Sequence, residues 1–240
     1  MKKSLLPVIA LMLYSTGHAQ AEKNNLSVAV DFNAISHFGS RMQTGEAFQS
    51  YKSAGVSGSP YYSNNWNEGT VTTSSGQQVS GYLLLYDKQA QDLYIRAKDT
   101  NLVIKADKSQ VKSFSFSSPG KQHNFIHYPL GGKKPVDGFM EVLAPGENFT
   151  LLKLTQTIFE RADYNDMLKV RNGEVTDAFT DHITYYVLHN NTLIPTPLKE
   201  HAVRKALDGL SPKAGAFIDA HRNNGFNEQL LINLVTALNQ

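Results

Sequence analysis

The sequence contains no cysteine and a single tryptophan, Trp66. The missing thiols exclude disulfides, thiolate zinc sites, cysteine nucleophiles and lipid attachment through an N-terminal cysteine. Charge is sparse as well: 18% of residues are charged, below the usual share of about 25%. No excess of one sign offers a footprint for nucleic acid or an anionic surface. Beyond the first 21 residues no apolar run reaches the roughly 18 residues a membrane-spanning helix needs, so no transmembrane segment is expected in the mature chain.

What is present begins with an export signal. Lys2 and Lys3 form a positive start, Leu5 to Tyr14 is a short apolar run, and Ala19-Gln20-Ala21 supplies a small-residue cleavage site. This pattern predicts a signal peptide over 1–21 with Glu22 as the mature start, or a cut after Ala19. Cleavage removes two of the 23 basic residues and none of the 21 acidic ones, which leaves a formal net charge of zero. The expected location is the periplasm or the cell exterior.

The mature chain, about 220 residues, is long enough for an ordinary core. Residues 22–58 read as a partly ordered lead-in, with one candidate strand at Leu26–Phe32 and a linker-like stretch from Ser53 to Ser59. From Ser59 to Pro195 the period is two. Candidate strands are Gly69–Thr73, Gln77–Tyr86, Leu93–Ala97, Leu102–Ala106, Val111–Phe116, Phe139–Ala144, Phe149–Arg161, Asp181–Leu188 and Thr192–Ile194. Their connections are too short for crossover helices, which predicts an antiparallel meander. Asn190-Asn191 marks a hairpin turn, and Asp163 to Ala178 a long polar hairpin loop.

At 196–240 the period becomes 3.6. Thr196-Pro197 and Ser211-Pro212 are candidate helix starts. Val203, Ala206, Leu207 and Leu210, then Ala214, Phe217, Ile218 and His221, then Leu231, Leu234, Val235 and Leu238 form three apolar stripes. The fold class expected is α+β: an antiparallel meander, curled into a small barrel or a sandwich, followed by a C-terminal cluster of short helices packed on it.

The segments GSPYYSNNWNEGTVTTSSGQQVSGYLLLYD and YYVLHNNTLIPTPLKEHAVRKAL resemble a family of uncharacterised exported proteins of Gram-negative bacteria. The likeness runs from about Ser59 to the C-terminus. It implies an exported, mostly β protein with a helical end, and carries no activity and no catalytic residues with it.

Chemistry-bearing patterns are few. His123 and His127 sit in HNFIHYP, which reads as an extended segment. There i and i+4 rings lie ~13 Å apart, too far to share a metal, so two half-exposed strand histidines are expected. Gly131-Gly132-Lys133-Lys134 lacks the spacing and the following helix of a phosphate loop, and no G-x-S-x-G occurs. Glu160, Asp163, Asp166, Asp177 and Asp181 are acids whose pairing only a fold could fix. The most suggestive cluster is Tyr61, Tyr62 and Trp66 with Asn64, because rings that stack on sugar faces beside amides that bind hydroxyls are a common way to hold glycans. Against it stands a core role for the same rings. No catalytic residue, metal or cofactor is assigned. The function expected is a non-enzymatic binding or structural module of the envelope with an unknown protein or glycan partner. The alternatives are a glycan-binding module built on Tyr61, Tyr62, Asn64 and Trp66, and a hydrolase whose carboxylates the fold assembles.

Overall fold

The computed structural model describes residues 39–41, 56–98, 102–130, 136–163, 167, 171, 176–207, 209–221 and 225–240. The segment 1–21 expected to be a signal peptide, the candidate strand at Leu26–Phe32, the loop 131–135 and most of the loop after Asp163 lie outside the described residues.

The nine candidate strands from Gly69 to Ile194 all form, but a further strand, Lys121–Leu130, covers HNFIHYP, and the strand expected from Asp181 begins at Asp177, inside the expected loop. The strands are β1 (Gly39–Arg41), β2 (Val56–Ser57), β3 (Asn67–Thr73), β4 (Gln78–Asp87), β5 (Asp92–Ala97), β6 (Val103–Ala106), β7 (Val111–Ser118), β8 (Lys121–Leu130), β9 (Val136–Ala144), β10 (Thr150–Glu160), β11 (Asp177–His189) and β12 (Thr192–Pro195). They form one sheet in the order β1-β6-β5-β4-β3-β7-β8-β9-β10-β11-β12, with β2 beside β11. All pairs are antiparallel except β2 with β11. The lead-in therefore contributes two strands, one at each end of the sheet. Val56 and Ser57, read as linker from composition, find backbone partners at Asp177 and Ala178.

The sheet is not closed by a ladder of hydrogen bonds, yet it curls back on itself. The turn after β4 reaches across to β10, where Thr157 N donates to Lys88 O at 3.3 Å and the Gln91 amide donates to Thr155 O at 2.9 Å. A bulge helps the bend: Gly69 pairs with Tyr82 and Thr70 with Ser80, which leaves Gly81 (φ 88°) as the extra residue. On the concave face Tyr82, Leu84, Tyr86, Leu93, Phe114, Phe116, Phe125 and Phe139 form an aromatic-rich core. Asn190 and Asn191, at φ 47° and 59°, make the tight turn between β11 and β12 that their sequence predicts.

Helices α1 (Glu200–Leu207), α2 (Pro212–Ala220) and α3 (Glu228–Leu238) cover the far part of the same face. Val203, Leu207, Ile218, Leu231, Leu234 and Val235 pack on Leu151, Tyr185 and Val187 in a second core. Ser211 precedes α2 with proline in its first turn, as expected, but its hydroxyl makes no capping hydrogen bond. Thr196 does not cap α1, which starts four residues later. It is fully buried, and its N–H donates to Tyr185 O at 2.8 Å, so backbone pairing with β11 outcompetes the cap. Because α1 ends at Leu207, Leu210 falls outside the stripe and is exposed.

Candidate functional site

Two neighbouring sites are built around one short segment, 58–66. Gly58 (φ 75°) passes so close to the Phe179 backbone that a Cβ there would collide with it. The chain then pairs with the end of β4: Tyr61 bridges Asp87, Tyr62 N donates to Tyr86 O at 2.9 Å, and Lys88 N donates to Pro60 O at 2.7 Å.

The first site is a cleft of about 460 Å³ lined by Ser59, Tyr61, Tyr62, Asn64, Lys88, Phe179 and Asp181. Lys88 Nζ is held by both carboxylate oxygens of Asp181, at 2.8 and 2.7 Å, and the Thr157 hydroxyl donates to the same carboxylate at 2.5 Å. Burial works to raise the Asp181 pKa, but the bonds from Lys88 and Thr157 outweigh it and hold the carboxyl below the ordinary aspartate range. A ligand here meets an aromatic ring, an amide and a fixed carboxylate together.

Of the four residues singled out in sequence, Tyr61, Tyr62 and Asn64 line this cleft and Trp66 does not. The Trp66 ring lies instead beneath the Arg96 guanidinium, 4.7 Å from it, in a cation–π contact on β5.

The second site is where the Tyr62 side chain ends. Its ring packs edge-on against Phe125 and His123, with centroids 5.1 and 5.0 Å away. Its hydroxyl donates to Glu141 Oε2 at 2.9 Å. His123 Nδ1 is 2.8 Å from Glu141 Oε1, His123 Nε2 is 2.9 Å from Ser118 Oγ, and Lys121 Nζ stands 3.4 Å from Glu141 Oε1. Burial, reinforced by the Glu141 charge, pushes the Tyr62 hydroxyl far above the ordinary tyrosine range, so it remains a donor.

His123 and His127 do sit on a strand, but His123 is buried, at 7% exposure, rather than half-exposed. The reason is that Glu141 and Ser118 satisfy both ring nitrogens. His127 pairs with Asp137 at 2.6 Å. Glu141 was missed in sequence, although a lone acid between Phe139, Met140, Val142 and Leu143 signals a carboxylate carried into a core. Among the other acids, Glu160 and Asp163 are exposed, and Asp177 accepts the Ala162 N–H at 2.8 Å. Asp166 lies outside the described residues. Asp87 is different: burial raises its pKa against the N–H groups of Ala90 and Gln89. Among the described residues no group of three or more His, Cys, Asp or Glu is arranged to hold a metal ion, and no helix is long and apolar enough to cross a membrane.

Comparison with protein-family models, with curated proteins and with solved structures finds no match.

Proposed function

We propose that this chain is an exported binding module of the bacterial envelope, periplasmic or extracellular, that takes its ligand in the cleft beneath Tyr61. The observation that carries the reading is convergence. Residues from the 58–66 segment, the turn after β4 and β11 meet in one concavity whose charged pair is already fixed. Binding sites are characteristically concave, with a few preset polar groups. The N-terminal Lys-Lys, apolar and A-x-A pattern supports export.

Within that reading the chemistry favours a carbohydrate. Tyr61 and Phe179 offer rings, while Asn64 and Asp181 offer amide and carboxylate partners for hydroxyls. The test is a glycan array followed by calorimetry on the mature chain. Tyr61→Ala and Asn64→Ala each weaken binding at least about tenfold, the scale of one good contact, and Trp66→Ala leaves it unchanged. A glycan that binds equally well to all three variants places its site elsewhere and rejects the assignment of the cleft. An array with no hit rejects the carbohydrate reading.

A further inference from the structure

The rim of the aromatic core carries a hydroxyl, an imidazole and a carboxylate in line, supplied by three consecutive strands. Ser118 ends β7, and the turn through Pro119 and Gly120 (φ 80°) returns the chain into β8. Phe116 pairs with His123 and Ser118 with Lys121, so these four share the concave face. Glu141 of β9 shares that face and pairs with Phe125. Ser118 Oγ is 2.9 Å from His123 Nε2, and His123 Nδ1 is 2.8 Å from Glu141 Oε1.

The order of protons follows from the network. Tyr62 has one hydroxyl hydrogen and donates it to Glu141 Oε2, so its oxygen, 3.0 Å from Nδ1, cannot also donate there. Glu141 accepts only, and therefore Nδ1 bears the hydrogen directed at it. A neutral ring then has its lone pair on Nε2, which faces the Ser118 hydroxyl. This is the tautomer a general base needs, with the acid on the far nitrogen holding the ring in place. Ser118 is half-buried beside the exposed Pro119 and Gly120, where an incoming molecule can reach it.

We propose that Ser118 is an activated nucleophile for acyl transfer from carboxylic esters, with His123 as its general base and Glu141 and Tyr62 as positioning residues. Ser118 Oγ forms a bond to the ester carbonyl carbon while its proton passes to His123 Nε2. The ester C–O bond breaks, and the departing alkoxide takes that proton as an alcohol. Water then attacks the acyl-serine by the same route, giving the carboxylic acid and restoring the Ser118 hydroxyl. Ser118 does not line the cleft, so this activity goes beyond the binding reading and stands or falls separately.

The test treats the mature full-length protein with a fluorophosphonate probe and locates the adduct by peptide mass spectrometry. Phosphonylation is expected at Ser118 and not at Ser117, which occupies the opposite face of the same strand. Labelling slows at least about 100-fold in His123→Asn and at least about tenfold in Glu141→Gln. Circular dichroism verifies the fold of each variant. The first readout needs only the wild-type chain: a folded protein with no adduct on Ser118, or with Ser117 labelled as fast, overturns the proposal. An unchanged rate in a folded His123→Asn variant overturns it too. Glycan binding retained by Ser118→Ala separates a failure here from a failure of the cleft.

Discussion

Lys88 and Asp181, 93 positions apart in the chain, meet at 2.7 Å. In sheet order β4 and β11 are separated by five strands, so this pair joins two regions that no ladder connects. The lysine is the more enclosed partner: its side chain is 9% exposed against 40% for the aspartate. Removing the acid therefore leaves an ammonium without a partner inside protein, whereas removing the amine leaves a carboxylate that water and Thr157 can still reach. Asp181→Ala is expected to cost about 2–4 kcal/mol, towards the range for breaking a buried pair. Lys88→Met, which retains the apolar stem, should cost roughly 1 kcal/mol. Urea denaturation of the two variants measures the order, and a reversal would mean that Asp181 is the desolvated member.

The same pair fixes the sign of the acid response. Asp181 and Glu228 are both held below their ordinary values of 3.8 and 4.5, despite burial, by bonds from Lys88 and Thr157 and from Lys153 and Tyr185. In the acid range the unfolded chain therefore binds more protons than the folded one. Their contribution is complete above those ordinary values and is lost as pH falls through the folded ones. Asp87, raised by burial, works in the opposite direction. Asp181→Asn and Glu228→Gln should each flatten the loss of stability below about pH 4.5, followed by thermal melts across that range. A slope unchanged in both variants would assign the acid sensitivity to other carboxylates.

Much of the fold was legible because its signals are local. Alternation along Leu93–Ala97 and Asp181–Leu188 depends only on which face is buried, and Asn190-Asn191 needs a backbone that few other residues adopt. The 3.6 period of Leu231, Leu234, Val235 and Leu238 is equally self-contained. The misreadings lie where distant partners decide. Val56–Ser57 looks like linker until β11 is placed beside it, and Thr196 looks like a cap until Tyr185 O takes its N–H. The sites divide in the same way. Tyr61, Tyr62 and Asn64 stand out because they are close in sequence, while Lys88 and Asp181, or Ser118, His123 and Glu141, are joined only by the curl and register of the sheet.

Asn239 illustrates how much one side chain can tie together at the helical end. Its Oδ1 accepts from Asn148 N at 3.1 Å and Phe149 N at 3.0 Å, and its Nδ2 donates to Phe149 O and Val235 O, each at 2.8 Å. The contacts lock the C-terminus of α3 to the turn before β10, where Gly146 leaves room for the amide. Asn239→Ala should cost about 2–3 kcal/mol, several modest hydrogen bonds with partly exposed partners. It should also raise amide hydrogen exchange in α3 before it does so in β4 or β5. Uniform loss of protection throughout the sheet would show that the helices and the sheet unfold as one unit.

Tyr62→Phe isolates the hydroxyl that joins the cleft segment to the buried acid. The ring and its contacts with Phe125 and Phe116 persist, but Glu141, 3% exposed, keeps only His123 and the longer contact from Lys121. A buried carboxylate deprived of a donor costs about 1–3 kcal/mol. Tyr128→Phe is the matched comparison. Its hydroxyl donates to Asn191 O at 3.0 Å in a solvent-exposed bond, where water replaces it and the cost stays under about 1 kcal/mol. Equal losses in the two variants would place water beside Glu141 and remove the case for a desolvated acid. A clear difference establishes that the polar end of the core is dry, the condition under which the Glu141–His123 contact holds the imidazole in a single orientation towards Ser118.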